Sequence, residues 1–280
     1  MNTNHRSFNT DHWKLTTEKS VKKKVIYEQP INERIRSLLR LEHLFAGIMY
    51  RLKGPAEWDS RAVIDSLIEV LDLLNRIDLR VELQKDLEYH AQILERWQRT
   101  PDVDTERLAK LLNKTRILLC RLGEIDRPVG DSLSQHQLFN LVRQRGTISG
   151  GTCRCDLPGY HHWLQKSPKQ RQNELSDWLA PLLPLRDAID LDLYFIRNNA
   201  IVSQEIATGG VFQSKLDANA QYRIIQVILA TEHPCYPEIK GGKQRFTIRF
   251  FEQPDIEERP KPTEQNINFE LRYCLITDQW

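Results

Sequence analysis

The chain has 280 residues, 40% of them hydrophobic and 28% charged, which suits one large or two ordinary domains with a buried core and excludes a disulfide mini-protein, a fibrous repeat or wholesale disorder. Its 40 basic and 38 acidic residues leave a formal charge of +2, so any role with nucleic acid or a membrane surface needs a local basic patch. No stretch approaches the roughly 18 apolar residues that span a bilayer, and the opening MNTNHRSFNTDHWK lacks a secretory apolar segment, so a cytoplasmic location without membrane insertion is expected.

Residues 1–23 are polar, lack apolar periodicity and run into the lysines Lys19, Lys22, Lys23 and Lys24, the pattern of a disordered tail. Val25-Ile26-Tyr27, ahead of Pro30, reads as a short strand, and from Asn32 the apolar period changes to that of a helix. Ile35, Leu38, Leu39, Phe45, Ile48, Met49 and Leu52 mark the first helix, which Gly54-Pro55 stops. A second starts near Ser60 with Val63, Leu67, Val70, Leu71 and Leu74 on one face. A third starts near Asp78 with Leu79, Leu83, Leu87, Leu94 and Trp97 and ends at Thr100-Pro101. Asp104 is placed to cap a fourth, carrying Leu108, Leu111, Leu112, Leu118, Leu119 and Leu122 up to Gly123. Amphipathic helices joined by short loops predict an antiparallel bundle.

A shorter helix is predicted over residues 134–145, then a Gly150-Gly151 turn, then a helix opened by Pro158 at its first position. Leu175, Trp178, Leu179 and Leu182 form the next apolar face. Pro181 and Pro184 interrupt it, and Leu185, Ile189, Leu193 and Ile196 resume it in a separate helix up to Asn198-Asn199. From Ile201 onward, runs rich in Val, Ile, Phe and Tyr alternate with the turn pairs Gly209-Gly210 and Gly241-Gly242, predicting roughly four to six antiparallel strands. Helices followed by strands give an α+β fold with an antiparallel helical bundle (31–199) and an antiparallel β-strand domain (24–30 plus 200–280), the early strand adding to the late sheet.

The strongest chemical signal lies in Lys243-Gln244-Arg245-Phe246-Thr247-Ile248-Arg249-Phe250. Alternation places Lys243, Arg245, Thr247 and Arg249 on one face and Phe246, Ile248 and Phe250 on the other, over roughly 20 Å of strand. Residues 238–249 hold one acid, Glu238, and four bases, Lys240, Lys243, Arg245 and Arg249, for a net charge of +3. Two readings stay open: a solvated face whose arginines pair with a neighbour such as Glu270 on the last strand, or a groove that recognises carboxylate or phosphate through guanidinium groups.

The five cysteines are scattered and odd in number, which fits free thiols in a reducing compartment. Cys153-Arg154-Cys155 with His161-His162 has the ligand types of a zinc site but poor spacing for one, and a thiol hydrolase built on Cys153 and His161 lacks any triad pattern. No metal or other cofactor is therefore expected. Trp58, Trp97, Trp163 and Trp178 fall in or beside helices, as core or interface residues.

Val142-Arg143-Gln144-Arg145, Gly150-Gly151, Asp156-Leu157-Pro158, His161 and Trp163-Leu164 are followed downstream by Tyr236-Pro237, Arg245-Phe246, Ile248-Arg249-Phe250 and Phe269-Glu270-Leu271. In that order, and with Pro30-Ile31-Asn32-Glu33 and the Leu71-Asp72 to Glu82-Leu83 stretch upstream, these residues resemble the ZapD family from about Val25 to Cys274. The resemblance implies a helical domain joined to a β-strand domain, a symmetric homodimer, no catalysis, and a place at the midcell division site. It also implies binding to the C-terminal tail of the tubulin-like division protein FtsZ, with filaments cross-linked into bundles. A cationic pocket for that tail is implied at Arg245 and Arg249 with Lys243 beside them, and at Arg76 and His161. Two departures stand out: the segment before Val25 is longer than usual for the family, and Gln137 occupies a position where a further base is expected. The main rival reading is a nucleic-acid binder using the basic strand and the Lys19–Lys24 lysines; an enzyme ranks behind it. For the dimer surface, the apolar helix faces at 45–52 and 111–122 are candidates.

Overall fold

The computed structural model describes residues 23–76, 79–98, 104–125, 130–217, 219–242, 244–253, 255 and 257–276. The N-terminal segment up to residue 22 and Lys243 lie outside the described residues.

Strand β1 (Lys24–Pro30) leads into helix α1 (Glu33–Arg51), whose start is fixed by Asn32, the side chain of which accepts the Ile35 N–H at 2.9 Å. Helix α2 (Glu57–Leu74) begins three residues before the expected Ser60, because Asp59 accepts the Ala56 N–H at 3.1 Å and, with Glu57, sets negative charge at the helix start. Helices α3 (Leu79–Trp97) and α4 (Thr105–Gly123) follow, α4 capped by Asp104 as its sequence requires. The helix expected over 134–145 is two pieces, α5 (Asp131–Ser134) and α6 (Gln137–Gly146). Between them His136 takes an extended backbone and packs its ring 4.5 Å from that of Trp178. Pro158 opens α7 (Pro158–Leu164), and Ser167 caps α8 (Pro168–Leu179). A 3₁₀ turn over Ala180–Leu182 passes into α9 (Leu183–Asn198), with Pro184 in its first turn, where a missing N–H costs nothing.

Helix α9 packs against α1, α3 and α4, and buries residues around most of its circumference, from Leu185 to Ile196. Its one buried carboxylate, Asp192, meets Nε2 of His90 at 3.0 Å, and the His90 ring stacks on Phe195. Trp163 is buried, stacked between Tyr160 and Trp178, whereas Trp58 is 77% exposed. Trp58 is thus a surface residue rather than a core one, its ring covered by the Arg61 guanidinium at 5.3 Å.

After α9 come β2 (Ala200–Ala207), β3 (Val211–Lys215), β4 (Tyr222–Ala230), β5 (Cys235–Gly241), β6 (Arg245–Glu252), the two-residue β7 (Lys261–Pro262) and β8 (Ile267–Leu275). They form two antiparallel sheets. The first, in order β1-β4-β8-β2, takes in the early strand as the sequence predicts; the second is β3-β6-β5, with β7 beside β6. The chain crosses from one sheet to the other at Gly209-Gly210, both with positive φ. A Cβ on Gly210 would sit 2.2 Å from the Thr263 carbonyl oxygen, so only glycine fits there.

The first sheet is covered on both sides. Ile224 and Cys274 join the helical core, while Ile225, Val227, Leu229, Phe269 and Leu271 pack on Phe246, Ile248 and Phe250 of the second sheet. The layers run helices, first sheet, second sheet.

Helices and first sheet are riveted by one guanidinium. Arg197 of α9 donates to Glu28 of β1 and Glu42 of α1 through four contacts of 2.5–2.9 Å, and Gln226 of β4 donates to Glu28 at 2.7 Å. Desolvation pushes the Glu28 carboxyl up, but the Arg197 and Gln226 hydrogen bonds outweigh it and hold the group below its ordinary range. Its contribution is therefore present above the ordinary glutamate pKa of about 4.3 and is lost as pH falls through the lowered value. Arg197→Met is expected to cost about 2–3 kcal/mol at pH 7, as loss of charged hydrogen bonds does. Urea unfolding at pH 7 and pH 3.5 should show the deficit shrinking at the lower pH.

Candidate functional site

Strand β6 shows the predicted alternation: Arg245 and Arg249 are exposed, and Phe246, Ile248 and Phe250 are buried against the first sheet. The arginines consequently point away from the rest of the molecule. Their expected structural partner is not available to them. Glu270 lies on β8 in the first sheet and bonds Lys24 at 2.9 Å and Arg272 at 2.6 Å, which corrects the reading in which it neutralises the arginines.

Register assembles a wider cationic face around them. Lys215 of β3 stands directly opposite Arg245, Val211 opposite Arg249, and Lys240 of β5 opposite Thr247. Among the described residues of these strands the carboxylate on this face, Glu238, stands opposite Arg249 but bonds Lys240 at 3.0 Å. Among the described residues Lys215, Arg245 and Arg249 form no ion pair. Two cations facing each other across a strand pair are destabilising, and an anion lying between Lys215 and Arg245 removes that cost. Lys215 escaped the sequence reading, since its position opposite Arg245 depends on a pairing that the Val211–Lys215 alternation does not reveal.

Arg76 lies elsewhere. It is exposed just beyond α2 and lines a cleft of about 660 Å³ between α1, α2 and the end of β1. Arg36, Arg40 and His43 line the same cleft over a floor that includes Leu39, Leu44 and Leu73. Of its two carboxylates, Asp72 is engaged by Arg143 of α6. Arg36, Arg40 and His43 were legible in principle, because positions i, i+4 and i+7 share one helical face.

His161 is half-buried on α7. Its neighbour Tyr160 packs 4.9 Å from the guanidinium of Arg61, near the start of α2. Arg61 and Arg76 are separated by about 22 Å of helix at 1.5 Å per residue, so His161 and Arg76 mark opposite ends of α2. Of the predicted site residues, then, Arg245 and Arg249 share one face, and Arg76 and His161 stand apart on the helical layer.

Lys24, counted with the N-terminal lysines, is tied to Glu270. Much of both candidate dimer faces is core: Phe45, Ile48, Leu112, Leu118 and Leu122 are buried, whereas Tyr50 and Ile117 in the same stretches are exposed. Edge strand β2 carries three exposed apolar side chains close together, Ile201, Val202 and Ile206, which are 58%, 52% and 57% exposed.

Fold and surface define a class: an α+β protein in which a helical bundle carries two stacked sheets, the outermost presenting a cationic face. The family model described as ZapD, cell division protein, matches residues 39–249. A cell division protein ZapD from Methylococcus capsulatus is 37% identical over 91% of this chain and 100% of its own length. Those from Aromatoleum aromaticum and Dechloromonas aromatica are 34% and 33% identical, each over 90% of this chain and over 98% and 100% of their own lengths. The chain belongs to the ZapD family of cell division proteins. Among the described residues no helix is long and apolar enough to cross a membrane.

Because Arg245 and Arg249 are exposed and unpaired, replacing either with Ala should change stability by no more than about 0.5 kcal/mol. Phe250→Ala, on the buried face of the same strand, should cost about 3–5 kcal/mol. Chemical denaturation of the three variants checks this contrast.

Proposed function

We propose that this protein is a non-enzymatic cytoplasmic division factor that binds the acidic C-terminal tail of FtsZ and, as a homodimer, cross-links FtsZ filaments into bundles at midcell. The observation that carries the proposal is the row Lys215, Arg245 and Arg249, exposed, unpaired and partly self-repelling on an outward sheet face. A peptide carboxylate docked there gains bidentate guanidinium contacts and relieves the repulsion. Membership of the ZapD family supports a division role, and the family resemblance supplies FtsZ as the partner. Lys243, two residues ahead of Arg245 in the sequence, is proposed as a further contact for the tail, and Arg76 and His161 serve as others on the helical layer.

The second copy is proposed to pair along β2, an edge strand whose exposed Ile201, Val202 and Ile206 favour cover by another protein surface. A dimer holds two tails and a filament presents many, so contacts that are weak one by one become firm cross-links through effective concentration.

Arg245→Glu/Arg249→Glu should abolish co-sedimentation with FtsZ polymer while leaving the dimer intact by light scattering. The wild-type interaction should weaken as salt rises from 50 to 300 mM, taken as about a halving of the screening length. Undiminished bundling by the folded double variant, or equal bundling of FtsZ lacking its terminal residues, refutes the assignment. Tight binding to duplex DNA with a steep salt dependence would instead favour the nucleic-acid reading. Val202→Lys/Ile206→Lys should give a monomer that still binds the isolated tail peptide but no longer bundles filaments. A dimer of unchanged mass rules out pairing along β2.

A further inference from the structure

The turn between α6 and α7 holds a group of side chains that tail binding does not use. Cys153 and Cys155 place their sulfurs 2.6 Å apart, and Cys153 Sγ donates to Oδ2 of Asp156 at 3.3 Å. Cys155 is exposed and Cys153 half-buried, while Cys235 and Cys274 are buried and Cys120 is held by Glu124 on α4. A zinc site here would draw on Cys153 and Cys155 together with His161 and His162. The structure instead groups the two thiols with Asp156 and leaves both histidines out of the cluster. Two thiolates on one tetrahedral zinc, each about 2.3 Å from the metal, stand nearly 3.8 Å apart. The observed separation is much nearer the disulfide bond of about 2.05 Å.

We propose that Cys153 and Cys155 are a redox-active dithiol that closes reversibly to an intramolecular disulfide by exchange with a low-molecular-weight disulfide such as glutathione disulfide. The exposed Cys155, as thiolate, attacks one sulfur of the small disulfide, breaking its S–S bond and releasing one thiolate, which takes up the proton Cys155 gave to solvent. Asp156 accepts the Cys153 proton. The Cys153 thiolate then attacks Sγ of Cys155, forming the protein disulfide and expelling the second small thiolate, which is protonated in turn. One dithiol is oxidised and one small disulfide reduced to two thiols, with no metal and no further oxidant. An exposed disulfide spanning a single residue is of the labile, readily reduced kind. The turn it closes is anchored to α2, since the Thr152 carbonyl accepts Nη1 of Arg61 at 3.3 Å.

Arg154 makes the outcome directly readable, because trypsin cleaves between the two cysteines. The full-length protein is incubated in glutathione buffers from fully reduced to fully oxidised, alkylated, digested and weighed. The expected result is a linked pair of peptides, residues 146–154 and 155–166, lighter than their sum by two hydrogens, from protein that runs as a monomer on a non-reducing gel and reverts with excess reduced glutathione. Cys153→Ser should lose the linked pair and retain glutathione on Cys155. Asp156→Asn should slow closure, so that the mixed disulfide accumulates. The proposal is overturned if both thiols stay alkylatable in the oxidised buffers, if the wild type stops at the mixed disulfide, or if the linked peptides come only from a covalent dimer. It is likewise overturned if the purified protein carries stoichiometric zinc that protects both cysteines.

Discussion

One guanidinium ties the helical layer to the first sheet. Arg197 extends from the end of the innermost helix and grips a carboxylate on α1 and another on β1 with both arms of its planar fork. Lysine cannot reproduce that geometry, because a single ammonium does not offer parallel donors to two carboxylates. The position of β1 on β4, and with it the closure of the first sheet, is coupled through Glu28 to the helix that organises the bundle. Once that sheet is committed to the helices on one side, its other side is the surface that can bury Phe246, Ile248 and Phe250. The outward direction of the arginines between those residues follows from strand geometry alone.

The outer sheet face carries a local cost without a local remedy. A strand pair selected for stability alone would set Lys215 opposite a carboxylate; here it faces Arg245. Glu238, across from Arg249, is taken up by Lys240. The buried charges of the inner layers are, by contrast, provided for: Arg171 of α8 is 4% exposed and donates to Ser60 and to the carbonyls of Leu164 and Pro55. Arg171 is thus fully engaged where it is buried, whereas Lys215, Arg245 and Arg249 are left open on an outward face, the distribution expected of a surface that meets an anionic partner.

Much of this was legible in the residues. Asn32 and Asp104 announce helix starts because a side-chain oxygen there has one geometric job, and the structure finds both of them doing it. Alternation in 245–250 gave the correct inward face for that strand, since a pleated backbone leaves no other choice. What sequence could not supply was partnership. Alternation says which way Glu270 and Arg245 point, but not that Gly209-Gly210 carries the chain into another sheet and so puts these residues on strands that stack face to face without pairing. Helical periodicity likewise marked the apolar stripes at 45–52 and 111–122 without saying that α9 would cover them. Arg76 and His161 came from family resemblance alone, and no spacing rule would have selected them.

The seating of β1 also governs when the molecule can become itself. Glu28 meets Gln226 across 198 residues of chain, and Lys24 reaches Glu270 across 246. A nascent polypeptide therefore emerges with its first strand unmated, and the helices that follow have no finished floor until β4 and β8 have left the ribosome. Maturation is a late, whole-chain event, with slow closure of distant contacts after rapid local helix formation. Any product cut short before β4 keeps an orphan strand and an open apolar underside, which marks it for chaperones or proteolysis instead of leaving a half-competent fragment beside the intact protein.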